Sequence, residues 1–98
     1  MGIVAANHIE AHPDRCGGRP CIVGTRIRVQ DIVCDHEMHG LTPEQIAREY
    51  PQVTLAQVHA ALAYYFDHRE EVQRQIKEDA EFAVVQATEA RSGVHSAA

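Results

Sequence analysis

The sequence predicts a mainly α domain with a small N-terminal β element, a helix-turn-helix corner and a long C-terminal helix. Three observations carry this reading. Apolar residues alternate with period two only near the N-terminus, between glycine turns; two threonines then open capping patterns at helix starts; and from Gln52 to Ser92 the chain contains no glycine or proline.

The first element is short. Residues 1–8 show no periodicity and are expected to be a flexible lead-in, and Ile9 to Ala11 read as a brief strand before the turn signal His12-Pro13-Asp14. Gly17-Gly18 marks a second turn, after which Cys21-Ile22-Val23 and Arg26-Ile27-Arg28-Val29 read as strands joined at Gly24-Thr25. Alternation places Ile27 and Val29 on one face and Arg26 and Arg28 on the other, giving a half-buried ribbon with a basic outer surface.

From Gln30 the period becomes helical. Ile32, Val33 and His36 share a face, and Gly40 stands where a helix is terminated by a left-handed residue. Thr42-Pro43-Glu44-Gln45 joins an N-cap threonine, proline at the first helical position and glutamine three residues after the cap. That helix ends near Tyr50, because Pro51 cannot extend it. Thr54-Leu55-Ala56-Gln57 repeats the capping pattern and opens a third helix, so two helices meet across a short turn.

In the third helix, Val58, Leu62, Tyr65, Arg69, Val72, Ile76, Asp79 or Ala80, and Ala83 recur at spacings of four and three. Continuous to about Glu89 it would reach on the order of 50 Å, longer than a core of this size, so part of it is expected to meet another molecule. The alternative is a break near Asp67-His68 with the tail packed back. The domain plan is therefore a core over 9–66, with its β element at 9–29 and helices at 30–66, an extension of the third helix over 67–90 and a disordered tail at 91–98.

Composition limits the function classes. A chain of 98 residues, 45% hydrophobic and 23% charged, fits one small globular domain with a modest core, for which a homodimer or complex is expected. No membrane-length apolar run and no basic leader is present, and three cysteines without C-x2-C spacing argue for reduced thiols, so a cytoplasmic location is expected. Net charge is −5 but unevenly placed: residues 1–34 carry four arginines against three carboxylates, residues 35–98 five basic against eleven acidic groups. A basic N-terminal surface suits nucleic acid and an acidic C-terminal face suits a basic protein.

The stretch CGGRPCIVGTRIRV, from Cys16 to Val29, admits a metal knuckle, a phosphate loop or a basic β-ribbon. A metal knuckle wants ligands in close pairs, whereas Cys16 and Cys21 are spaced C-x4-C and Cys34 lies on a helix, so no metal site is assigned, and Cys21 and Cys34 read as small buried hydrophobes in a strand and a helix. A phosphate loop would lead from glycines into a helix start, but Gly17-Gly18 lead into a strand. Cys16 with His12 and Asp14 has the residue types of a nucleophilic site, yet all three lie in one short turn. No catalytic residues and no cofactor are assigned, and the chain is expected not to be an enzyme. The basic ribbon remains, with Arg19, Arg26 and Arg28 pairing either with phosphates or with Asp14, Asp31 or a second subunit.

The run Ile9, His12-Pro13-Asp14, Gly17-Gly18-Arg19-Pro20-Cys21-Ile22, Gly24-Thr25-Arg26-Ile27 and Val29, followed by Gly40-Leu41-Thr42-Pro43-Glu44-Gln45-Ile46, Tyr50-Pro51 and Val58, Ala61-Leu62 and Tyr65, closely resembles the bacterial domain-of-unknown-function family 433. The resemblance covers residues 9–66 and weakens beyond Arg69. It implies a homeodomain-like helix-turn-helix preceded by a β element, and an antitoxin whose neighbour is a PIN-like ribonuclease toxin. Arg19 stands where the family commonly has lysine, and Cys16 and Cys21 where it has apolar residues. The implied recognition helix, Leu55 to Phe66, holds no lysine or arginine, so operator DNA contact would rest on Thr54, Gln57 and His59 beside the three arginines. The acidic tail would cover a basic toxin cleft, with Val72, Ile76 and Phe82 supplying buried area and Glu78 and Asp79 charge. The competing readings are a DNA-binding regulator without a toxin, and a metal- or redox-responsive module.

Overall fold

The structure is a computed structural model that describes residues 8–97, with side chains to residue 88. The expected lead-in at 1–8 lies outside the described residues except for His8. The β element is smaller than the alternation suggests. Strand β1, Ile9–Glu10, pairs antiparallel with β2, Cys21–Ile22, setting Ile9 opposite Ile22 and Glu10 opposite Cys21. The second arm of the expected ribbon is only a bridge between Cys21 and Arg28, flanked by Ile22 N–H donating to the Ile27 carbonyl and Val29 N–H to that of Pro20, both at 2.9 Å. Its shortness follows from what comes next: the Asp31 carboxylate accepts from the Arg28 N–H at 3.0 Å and starts a helix at Val29. The alternation itself holds, since Ile27 and Val29 are buried and Arg26 and Arg28 face the other way.

Helix α1, Val29–Val33, continues into one π-helical turn over Cys34–Met38, closed by His39 N–H donating to the Cys34 carbonyl at 3.2 Å. Gly40 follows at φ 69°, the left-handed termination read from the sequence. Helix α2 is Pro43–Glu49 and helix α3 is Leu55–Asp67. Both capping boxes form: Thr42 Oγ1 accepts from Gln45 N–H at 3.1 Å, and Thr54 Oγ1 accepts from Gln57 N–H at 3.1 Å. Each glutamine in turn accepts from the threonine N–H, at 2.8 and 2.9 Å.

Continuity of the third helix is the reading the structure corrects. Helix α3 stops at Asp67, His68 adopts φ −132°, ψ 44°, and a separate helix α4 runs from Arg69 to Ala97. No local breaker causes this. The break lets α4 turn back so that Val72 is fully buried and Ile76 packs against the core formed by Ile22, Val29, Ile32, Ile46, Val58 and Tyr65. Tyr65 fastens the joint, donating to Glu37 Oε1 at 3.1 Å and accepting from Gln73 Nε2 at 3.0 Å. The helix also passes through the stretch expected to be a disordered tail, because 91–97 is helical up to Ala97. No proline stops it, although Gly93 and the two serines there are poor helix formers.

Beyond Asp79 the same helix leaves the body, and every described side chain from Ala80 to Thr88 is exposed. At 1.5 Å per residue α4 is on the order of 43 Å long, and the molecule measures 65 × 29 × 25 Å. None of the helices is long and apolar enough to cross a membrane among the described residues.

Candidate functional site

The turn between β1 and β2 is unusual. Cys16, Gly17 and Gly18 have φ values of 55°, 65° and 80°, three successive left-handed residues. Glycine accepts this without cost and Cys16 does not. Arg19 N–H then donates to the Cys16 carbonyl at 3.2 Å, and the tight turn swings the Arg19 side chain toward α4.

There Arg19 Nη1 donates to Asp79 Oδ1 at 2.7 Å and Nη2 to Glu78 Oε1 at 3.3 Å. Arg28 Nη1 meets Asp79 Oδ2 at 3.1 Å while its Nε and Nη2 hold Asp31 at 3.2 and 3.0 Å. Gln30, only 3% exposed, completes the set: its Nε2 donates to Asp79 Oδ2 at 2.8 Å and its Oε1 accepts from Arg19 at 2.8 Å. One carboxylate therefore receives three side-chain donors from the N-terminal half. Burial pushes the Asp79 carboxyl up, but the hydrogen bonds from Arg19 and Gln30 and the two guanidinium charges outweigh it and hold the group below its ordinary value. Arg28 is raised, chiefly by its hydrogen bond to Asp31.

A second polar joint lies on the other side of the helical corner. Asp35, buried on α1's π turn, accepts from the Tyr50 hydroxyl at 2.9 Å and lies 3.3 Å from His39 Nδ1. Burial, then the Asp35 hydrogen bond, pushes the Tyr50 phenol well above its usual value. The cleft between the π turn and α4, lined by Cys34, Glu37, Met38, Tyr65, Gln73 and Ile76 among others, encloses about 160 Å³, below the roughly 300 Å³ of typical small-molecule sites.

The residues expected to bind partners are divided by this geometry. Arg19 and Arg28 are turned onto Asp79 and Asp31, while Arg26 is exposed and makes no ion pair among the described residues. Thr54 and Gln57 are engaged in the capping box, and His59 is exposed. Val72 belongs to the chain's own core, with 0% exposure, and Ile76 packs beside it. Glu78 and Asp79 answer Arg19, which leaves Phe82 free, joined by Val84 and Val85 at 64%, 64% and 51% exposure. Gln30 escaped the sequence reading: it stands beside Asp31 as one of two adjacent polar residues between Val29 and Ile32, and nothing in that spacing marks it as buried.

Two thiols are subdued. Burial, with the neighbouring Cys16 thiol, pushes Cys21 up to about 11, and burial raises Cys34 as well. No group of three or more histidine, cysteine or carboxylate side chains is placed to hold a metal ion among the described residues.

Fold and site together define a small mainly α domain with a helix-turn-helix corner, strapped by its own C-terminal helix. The chain belongs to the family described as Protein of unknown function (DUF433), whose model matches residues 9–65. It is similar to the crystal structure of a DUF433 member protein from Anabaena variabilis, at 33% identity and a TM-score of 0.66, over 71% of this chain and 68% of that one. No curated protein matches it. Helix α4 lies outside the residues matched by the family model.

Proposed function

We propose that this chain is an antitoxin-type binding protein, a homodimer whose distal α4 surface covers a PIN-like ribonuclease toxin. The observation that carries the reading is the projecting segment from Ala80 to Thr88. It exposes Phe82, Val84 and Val85 beside Glu81, with Glu78 one turn earlier. Three large apolar side chains on one projecting helix suit burial against a second protein, and the flanking carboxylates suit a basic cleft. Val72, Ile76 and Asp79 hold the helix to its body and so present this surface; the contact itself falls to Phe82 and its neighbours.

Operator DNA is the second reading, and the corner formed by α2 and α3 favours it. With Arg19 and Arg28 paired internally, phosphate contact rests on Arg26 and base contact on His59. Co-expression with the product of the adjacent gene, followed by light scattering, tests the first reading. A heteromeric complex that Phe82→Asp abolishes, with the variant's melting temperature unchanged, is the expected outcome. Retention of the partner by Phe82→Asp together with Val85→Asp would remove α4 from the interface. Salt-dependent binding of operator DNA by the isolated chain tests the second.

A further inference from the structure

The break at His68 separates two segments whose sequence supports one helix. No glycine or proline occurs between Gln52 and Ser92. Asp67, His68, Arg69 and Glu70 are all exposed, so straightening the joint removes no buried side chain at the hinge. His68 N–H already donates to the Tyr64 carbonyl at 2.9 Å, the helical bond, and Val72 N–H to the His68 carbonyl at 3.1 Å. Between them the amides of Arg69, Glu70 and Glu71 forgo the carbonyls four residues back that a continuous helix would offer. What holds the break is the docking of α4: Val72 and Ile76 in the core, Asp79 on Arg19, Arg28 and Gln30.

That docking does not require both sides to belong to one chain. We propose that α4 is an exchangeable arm: in a dimer of this chain, α3 and α4 straighten through His68 into one helix, and each α4 seats Val72, Ile76 and Asp79 on the second copy's core and its Arg19, Arg28 and Gln30. The occupant of the vacated groove is the same helix from a second copy, because it offers the apolar pair Val72 and Ile76 and the Asp79 carboxylate at the spacing the groove already accepts. The packing and ion pairs broken on opening re-form between the two copies, and the hinge amides gain helical partners. A one-residue hinge between two helices is the short connection that favours such exchange. The segment from Ala80 to Thr88 remains exposed beyond the clamp in either form, so the inference does not depend on the toxin reading.

Mixing two charge-altered full-length chains tests it. Asp79→Arg and the double variant Arg19→Asp/Arg28→Asp each lack the clamp; unfolded and refolded together, they can rebuild one native clamp only by exchange. Native mass spectrometry is expected to show the heterodimer in clear excess over the statistical proportion. Monomers alone, or homo- and heterodimers in statistical ratio, would overturn the exchange. Should either variant fail to fold, His68→Ala in the otherwise unchanged chain carries the test. Better helix propensity at two hinges should raise the dimer association constant about five- to tenfold, read by light scattering against concentration after refolding. An unchanged constant would overturn the proposal equally.

Discussion

Arg19 and Asp79, sixty positions apart in the chain, meet at 2.7 Å and join the turn after β1 to the middle of α4. Asp79→Ala leaves the buried Gln30 amide and two guanidinium groups short of an acceptor. The Asp79 side chain is 40% exposed, so water takes up part of the loss, and destabilisation of about 1 kcal/mol is expected in urea unfolding.

The same group sets a pH dependence. Its folded value is lowered, so the stability it lends is complete above the ordinary carboxylate range and is lost as pH falls through the folded value, below about pH 4. Wild type and Asp79→Asn should therefore differ in unfolding free energy at neutral pH and converge in acid. A constant difference across that range would assign the effect to something other than this carboxylate.

Tyr50→Phe removes the hydroxyl that Asp35 accepts at 2.9 Å. Because Asp35 is buried and keeps only the longer approach of His39, the variant is expected to lose about 1–2 kcal/mol. Denaturant titration measures it. The sheet-side clamp should be untouched, so this loss and that of Asp79→Ala should add.

Val72→Ala tests how α4 is held. Val72 is fully buried, and deletion of two methyl groups with an incompletely closed cavity is expected to cost about 2 kcal/mol. Ala83→Gly, on an exposed part of the same helix that frays apart from the core, should cost well below the roughly 1 kcal/mol of helix propensity.

At Gly40 the cost is conformational. A Cβ would meet nothing within 4 Å, yet φ is 69°, so Gly40→Ala is expected to destabilise by about 1 kcal/mol and Gly40→Asn by less. Thermal unfolding of the two variants orders them.

Short-range chemistry was legible in the sequence and long-range pairing was not. Thr42 with Gln45 and Thr54 with Gln57 announce their helices because cap and partner lie three residues apart, and Gly40 announces a left-handed stop for the same local reason. The family match over residues 9–65 follows from such motifs. The break at His68 has no glycine or proline to announce it; it forms when Val72 and Asp79 find partners in the N-terminal half, with Tyr64 stacked on His68 at the joint. Arginine ion pairing was one of two open uses for Arg19 and Arg28, and Asp31 was named among its partners, but Asp79 had been assigned to a partner surface. Nothing in the spacing of Gln30 and Asp79 brings them together; only the fold does.

The division of α4 into a docked and a projecting part also bears on how its backbone exchanges hydrogen with solvent. Amides near Val72 and Ile76 open only when the helix undocks, so their protection reports a cooperative event shared with the core. Amides from Ala83 to Thr88 have no packed neighbours to release and can open by fraying alone. A single uninterrupted helix should therefore show two exchange regimes, divided close to Asp79.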